Sequence, residues 1–144
     1  MSTPVPRERA ARGREVQQEL RARAVAEGRL AADIAEALSD PALSRWRSAN
    51  GFAVVDDLDR LEGPATGTVR VPDDLVRDTV PAEVDLTDPR AVTELYRVVL
   101  ADGTAAQQYA LLNAALLTSV WAVGLAEAPV MRVWESRFPQ LTGR

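Results

Sequence analysis

The sequence predicts a mainly α-helical protein with a minor two-stranded β element and a long N-terminal amphipathic helix. Apolar residues recur at helical spacing along most of the 144 residues. Alternating β-branched residues occur in one short stretch, 66–71, and briefly at 84–86. Since 47% of the residues are hydrophobic, the chain has enough apolar side chains for one core.

The domain organisation follows from composition and from chain breakers. We expect a basic N-terminal helix or arm over residues 1–29 and a single, mainly helical domain over residues 30–144. Within that domain the predicted parts are a helical part, 30–62, a linker with short strands, 63–88, and C-terminal helices, 89–144.

The first predicted helix begins at Pro6, which suits a first helical turn, and ends near Gly28. Its apolar stripe consists of Val16, Leu20 and Ala24, with arginine and glutamate on the other faces. Because this stripe is thin, the helix should dock on a partner or on the rest of the domain.

A second helix is predicted where Leu30, Ile34 and Leu38 repeat at helical spacing. Asp40 with Pro41 then predicts an N-cap and a first turn for a third helix, which would run to about Ser48. Asn50-Gly51 should end that helix, because both residues accept a left-handed conformation.

The later elements alternate between turn residues and apolar runs. Asp56 should cap a short turn of helix, and the stretches at 66–71 and 84–86 should form edge strands next to Pro72 and Pro81. A strongly apolar helix is expected from Pro89 until Asp102-Gly103. Three short helices should follow, starting near Thr104, Asn113 and Ala128.

The composition removes most catalytic chemistry. The chain has no lysine, histidine or cysteine, so all 17 basic side chains are arginine. Cys–His and Ser–His pairs, Schiff-base lysines, P-loop lysines and thiolate or imidazole metal sites are therefore excluded. We expect no enzymatic activity, no cofactor and no metal, although a reaction built only on carboxylates stays open.

The charge is unevenly distributed. Residues 1–30 carry seven Arg and four Glu, residues 31–90 carry six Arg and thirteen acids, and residues 91–144 carry four of each. The net charge of −4 argues against broad nonspecific nucleic-acid binding and against an anionic membrane surface. The longest apolar stretch, 110–128, is interrupted by polar residues and is a poor membrane span, so we expect a cytoplasmic protein.

Residues 30–47 resemble a helix-turn-helix. Ser44, Arg45 and Arg47 would suit phosphates or guanine edges in the major groove. The spacing between the helices is about two residues shorter than in the usual motif. Two packed helices with a solvated arginine pair are the alternative interpretation.

The run Asp56-Asp57-Leu58-Asp59, with Ser48 upstream, is similar to the paired acids that hold magnesium in nucleotidyltransferases. The glycine that precedes those acids is missing here. Acids at the start of a helix also complement the helix dipole, and that interpretation is the favoured one.

The tryptophans suggest where a partner could bind. Trp121 is expected in the core, whereas Trp134 is expected to anchor a contact between core and surface, with Met131 as an adaptable neighbour. The predicted partner-binding residues are Arg14, Arg21, Val16, Leu20, Met131 and Trp134.

The second half of the chain resembles a family of small actinobacterial proteins encoded beside nucleotidyltransferase toxins of the abortive-infection type. The resemblance covers roughly residues 69–138. It rests on Val69-Arg70-Val71-Pro72, Val84-Asp85-Leu86-Thr87-Asp88-Pro89, Leu95-Tyr96-Arg97-Val98-Val99-Leu100, Asp102-Gly103-Thr104, Asn113-Ala114-Ala115-Leu116-Leu117 and Val130-Met131-Arg132-Val133-Trp134.

This resemblance implies an antitoxin or accessory protein that regulates a toxin through protein contacts, without catalysis. A DNA-binding regulator that uses residues 30–47 is the first alternative. A structural component of a phage or other assembly, in which the long helix drives homo-oligomer formation, is the second alternative.

Overall fold

A computed structural model describes residues 6–121 and 124–142, and the side chains of these residues except 6–12 and 14. The described part is mainly helical with a small antiparallel sheet, which confirms the predicted fold class. Its elements are α1 (Pro6–Ala26), α2 (Ala32–Leu38), α3 (Arg45–Asn50), β1 (Thr68–Arg70), β2 (Glu83–Asp85), α4 (Pro89–Asp102), α5 (Ala105–Leu111), α6 (Ala114–Val120) and α7 (Ala128–Arg137). Short 3₁₀ helices lie at Leu58–Arg60, Asp73–Leu75 and Pro139–Thr142.

The core is built around α4. Leu95, Tyr96, Val99 and Leu100 share one face of this helix and are fully buried. That face contacts β2, α5 and α6. The helix predicted from Pro89 to Asp102-Gly103 is confirmed. Asp88 caps it, because its side chain accepts a hydrogen bond from the N–H of Arg90.

The two strands form a short antiparallel pair, with Val69 opposite Val84. Val84 is buried, while both of its neighbours on β2 are exposed, as expected for a sheet with one face on the core. The segment 63–88, predicted as a linker with short strands, also places Val71, Leu75 and Val80 in the core. It is therefore a packed part of the molecule as well as a connection.

The predicted short helices α5, α6 and α7 are present. Thr104 and Gln107 form a reciprocal capping box at the start of α5. The Asn113 side chain accepts hydrogen bonds from two backbone N–H groups of α6. These caps satisfy donors that a helix of seven residues cannot satisfy internally.

Trp121, Trp134 and Phe138 form an aromatic cluster. The ring centroids of Trp121 and Trp134 are 6.1 Å apart, and those of Trp134 and Phe138 are 5.9 Å apart. The prediction that Trp121 lies in the core is confirmed. The prediction that Trp134 reaches the surface is wrong, because α7 lies between α2 and the C-terminal 3₁₀ helix and the indole is 0% exposed.

Two predicted helix caps are shifted. Asp40 and Pro41 lie in a turn, in which the Asp40 carboxylate accepts a hydrogen bond from the N–H of Ala42. Helix α3 begins later, where the Ser44 hydroxyl accepts from the N–H of Arg47. In the 3₁₀ helix at Leu58–Arg60 the cap is Asp57, one residue after the predicted Asp56.

Helix α1 has the predicted bounds, since it ends at Ala26 and Gly28 follows with a φ of 75°. None of its described side chains belongs to the buried core. No helix in the described residues is long and apolar enough to cross a membrane.

Candidate protein-binding surface

Helix α1 is joined to α2 and α3 by one arginine. The Arg21 guanidinium donates to the Ser48 carbonyl at 3.1 Å, to the Ser48 hydroxyl at 3.2 Å and to the Ser39 hydroxyl at 3.4 Å. The Ser48 hydroxyl in turn donates to the Leu38 carbonyl at 2.9 Å. This polar network fixes the position of α1 with little apolar burial.

Three large hydrophobic side chains are exposed in the described part of the chain. Val16 is 53% exposed and Leu20 is 51% exposed, one turn apart on α1. Trp46, on α3, is 58% exposed, and the Arg47 guanidinium lies 4.6 Å from its ring centroid. A single exposed apolar residue is ordinary, but these three all belong to the first fifty residues.

A groove of about 610 Å³ separates α1 from α2, α3 and the turn between them. We call it the α1 groove. Its apolar lining includes Leu38 and Leu43, and its polar lining includes Arg21 and Arg45. Seven of its twelve lining residues are polar or charged, so the groove is a mainly polar cleft over a small apolar base.

Two of the three predicted nucleic-acid contacts make structural interactions. The Arg47 side chain is 11% exposed, donates to the Ala101 carbonyl, and pairs with Asp102 at 3.3 Å and Glu127 at 3.6 Å. Ser44 caps α3, and its N–H donates to the Glu127 carboxylate at 3.0 Å. Arg45 is exposed and lines the α1 groove.

The structure separates the predicted partner-binding residues. Val16, Leu20 and Arg21 lie on α1, and of these only Arg21 lines the α1 groove. Met131 and Trp134 lie on α7 and do not line the groove. Met131 is half-buried against the core. The side chain of Arg14 lies outside the described residues.

The acidic run 56–59 has structural interactions. Asp57 accepts from the N–H of Asp59 at 2.9 Å, and Asp56 pairs with Arg137 at 3.3 Å. Within residues 6–121 and 124–142, no group of three or more acids forms a candidate metal site.

Arg137 connects α7 to α2 and to the chain before the acidic run. It donates to both carboxylate oxygens of Asp33, at 2.6 and 2.8 Å, and to the carbonyls of Val54 and Val55, at 3.1 and 3.2 Å. The hydrogen bond from Arg137 holds the pKa of Asp33 below its ordinary value, against a smaller opposing effect of burial. A second pair, Arg132 with Asp40, joins α7 to the turn after α2. These pairs fix α2, which carries one wall of the α1 groove.

Sequence reasoning missed Ser39 and Ser48, which hold Arg21, and Asp102 and Glu127, which hold Arg47. Serines on short helices resemble any solvated serine in a sequence. Asp102 and Glu127 lie 55 and 80 positions after Arg47, so no local spacing could have connected them.

No protein-family model matches the chain, and no curated protein or solved structure matches it with significant similarity.

Proposed function

We propose that the protein is a non-enzymatic, antitoxin-like regulator that acts by contact with a partner protein through α1 and the adjoining α3. The observation that carries this proposal is the exposure of Val16, Leu20 and Trp46, each more than half exposed, in the region that contributes least to the core. Exposed apolar side chains of this size are buried when a partner docks, and aromatic residues are enriched at such contacts.

The class of partner follows from the sequence resemblance. A nucleotidyltransferase toxin of the abortive-infection type is the first partner to test, and the cytoplasm is the expected compartment. The absence of lysine, histidine and cysteine from the sequence supports a role without catalysis. The charge and exposure of α1 support a contact made through this helix.

Sequence-specific DNA binding is the second candidate, because Arg45 is exposed on α3. It has less support, since Arg47 and Ser44 already have protein partners and the net charge is −4. A component of a larger assembly is the third candidate, and it requires self-association.

The test is affinity capture with the tagged full-length protein from its native host. We expect one stoichiometric partner with a nucleotidyltransferase sequence. The double variant Val16→Gln/Leu20→Gln should lose this partner, because it removes the exposed apolar stripe of α1. The control is Ala115→Gln, which places the same amide on an exposed position of α6.

Each other outcome contradicts the proposal. Recovery of DNA alone favours the transcriptional regulator, and recovery of only the protein itself favours the structural component. Equal recovery of the partner by the double variant and the control would mean that the contact lies elsewhere than on α1.

A further inference from the structure

We propose that the α1 groove binds an acidic amphipathic segment of the partner, with apolar side chains on the groove base and carboxylates facing Arg21 and Arg45. This inference rests on the proposed function, in which the region of α1 and α3 is the contact surface. It adds the chemistry that the partner must present there.

The two arginines that line the groove differ from several other arginines of the protein in their ion pairs. Within the described residues, Arg45 makes no ion pair and no side-chain hydrogen bond, and Arg21 donates only to uncharged serine oxygens. By contrast, Arg47, Arg132 and Arg137 each pair with at least one carboxylate. Arg45 is therefore available to a carboxylate, and Arg21 keeps its positive charge while its hydrogen bonds hold α1. Arginine stays charged at any relevant pH.

Asp40 lines the groove but forms no ion pair with Arg21 or Arg45. Its carboxylate pairs with Arg132 of α7 and accepts from the N–H of Ala42. Among the side chains that the structure describes, no carboxylate in the groove lining pairs with Arg21 or Arg45. Carboxylates of an incoming segment would supply negative charge there, with bidentate hydrogen bonds to Arg45.

The groove also has an apolar part and a volume that a peptide segment could fill. The base is formed by Leu38 and Leu43, which are only 7% and 6% exposed, and Pro41 and Ala49 are exposed beside them. The volume of about 610 Å³ accommodates several side chains. A segment with apolar residues one helical turn apart would place them on this base, as amphipathic helices do in hydrophobic grooves.

Two other occupants fit less well. A second copy of the chain would offer α1 as its exposed helix, and residues 1–30 carry seven Arg and four Glu, so it would bring positive charge towards Arg21 and Arg45. A nucleic acid would leave the apolar base without apolar contacts. The observations therefore favour an acidic protein segment.

The test uses the full-length protein and fluorescein-labelled helical peptides of about four turns, with leucine at i, i+4, i+7 and i+11. One peptide carries glutamate at the other positions, a second carries lysine, and a third carries glutamine. Fluorescence anisotropy should show saturable binding of the glutamate peptide, at least about tenfold tighter than of the other two. The affinity should fall as salt is added.

Two variants locate the site. Arg45→Glu should weaken binding of the glutamate peptide by about tenfold or more, because it replaces an attraction by a repulsion. Ala49→Trp should weaken it similarly, because the added ring fills the groove from an exposed position. The matched control is Arg90→Glu, which makes the same charge change at an exposed position of α4 and should change the affinity by less than about twofold. Circular dichroism verifies that each variant is folded.

The inference is overturned if the glutamate peptide does not bind, if the lysine peptide binds as well, or if Arg90→Glu weakens binding as much as Arg45→Glu. A labelled DNA duplex that binds in an Arg45-dependent way would also overturn it, as would a dimer in light scattering that Ala49→Trp dissociates. These results do not depend on capture of a toxin, so a failed capture with successful peptide binding would contradict the proposed toxin partner alone.

Discussion

Helices α1 and α4 are the two longest in the described part of the chain, yet their positions are fixed in different ways. Helix α4 buries Leu95, Tyr96, Val99 and Leu100 completely and contacts both the sheet and two other helices. Helix α1, with 21 residues, places none of its described side chains in the core and connects to its neighbours largely through Arg21. Apolar burial therefore stabilises α4, whereas α1 depends on its intrinsic propensity and on polar contacts.

Under the proposed function, this difference corresponds to separate roles for the two regions. A helix with little apolar burial can separate from its neighbours at low free-energy cost, and elements that bind partners are commonly of this kind. A helix at the centre of the core cannot move without unfolding the domain. Leu100→Ala in α4 and Leu20→Ala in α1 measure this difference directly, and Arg137→Met and Tyr96→Phe measure how polar contacts add to the core.

The largest effect is expected for Leu100→Ala in α4. The leucine is fully buried, so truncation loses its apolar contacts and leaves a cavity. We expect the free energy of unfolding to fall by about 3 kcal/mol. Urea denaturation followed by circular dichroism measures it, and a loss below about 1 kcal/mol would mean that α4 is not the centre of the core.

Next in size is Arg137→Met, which removes the link between α7 and α2. The carbonyls of Val54 and Val55 lose the Arg137 donor, and Asp33 loses both guanidinium donors but keeps the N–H of Ile34. The methionine keeps most of the apolar stem. We expect a loss of about 2 kcal/mol, less than for a fully buried pair because Asp33 is partly exposed.

The same pair predicts a pH dependence. Because the folded-state pKa of Asp33 is lowered, its contribution to stability is present above its ordinary pKa and is lost as pH falls through the folded-state pKa. Wild type should therefore lose part of its advantage over Arg137→Met below about pH 4, and should keep the part that comes from the Val54 and Val55 carbonyls. Denaturation of both proteins at several pH values measures this loss, and a constant difference down to pH 2 would contradict it.

A smaller effect is expected for Tyr96→Phe in α4. The Tyr96 hydroxyl accepts a hydrogen bond from the N–H of Asn113 at 2.9 Å, and the phenylalanine leaves that N–H without its partner. We expect a loss of about 1 kcal/mol.

Burial also raises the pKa of Tyr96 to about 12, so this residue contributes stability that is lost as pH rises from about 10 towards that value. Absorbance titration near 295 nm should show one tyrosine that ionises late, and this transition should be missing in the Tyr96→Phe protein. Ionisation of every tyrosine near pH 10 in the folded wild type would refute the assignment.

The smallest effect is expected for Leu20→Ala in α1, the matched counterpart of Leu100→Ala. Leu20 is 51% exposed, and alanine has the highest helix propensity, so stability should change by less than about 0.5 kcal/mol. The same denaturation measurement applies. A loss close to that of Leu100→Ala would show that α1 belongs to the core and would remove the contrast between the two helices.

The sequence predicted the elements that have strong local signals. Asp88-Pro89 followed by a strong apolar periodicity predicted α4, and Thr104 and Asn113 marked the starts of the next two helices. Local signals failed where two of them competed. Asp40-Pro41 and Ser44 can both begin a helix, and the structure uses Ser44, whose N–H also bonds to Glu127.

Gly63 is a second position whose structural role cannot be predicted from neighbouring residues. In the sequence it only interrupts the chain beside Pro64. In the structure a Cβ at this position would lie 2.3 Å from the Leu111 carbonyl oxygen, and the Gly63 N–H donates to the Leu112 carbonyl at 3.0 Å. The glycine is required by the close approach of a segment about fifty positions away, which no local pattern encodes.

The sequence by itself determined the helical class, most element positions and the exclusion of lysine, histidine and cysteine chemistry, because these depend on residue types and on short-range periodicity. The tertiary structure decided which arginines have carboxylate partners, that Trp134 is buried, and that α1 leaves apolar side chains exposed beside a groove. Those features depend on which distant segments meet. Contacts between residues far apart in the chain are set by packing of the whole core rather than by local pattern.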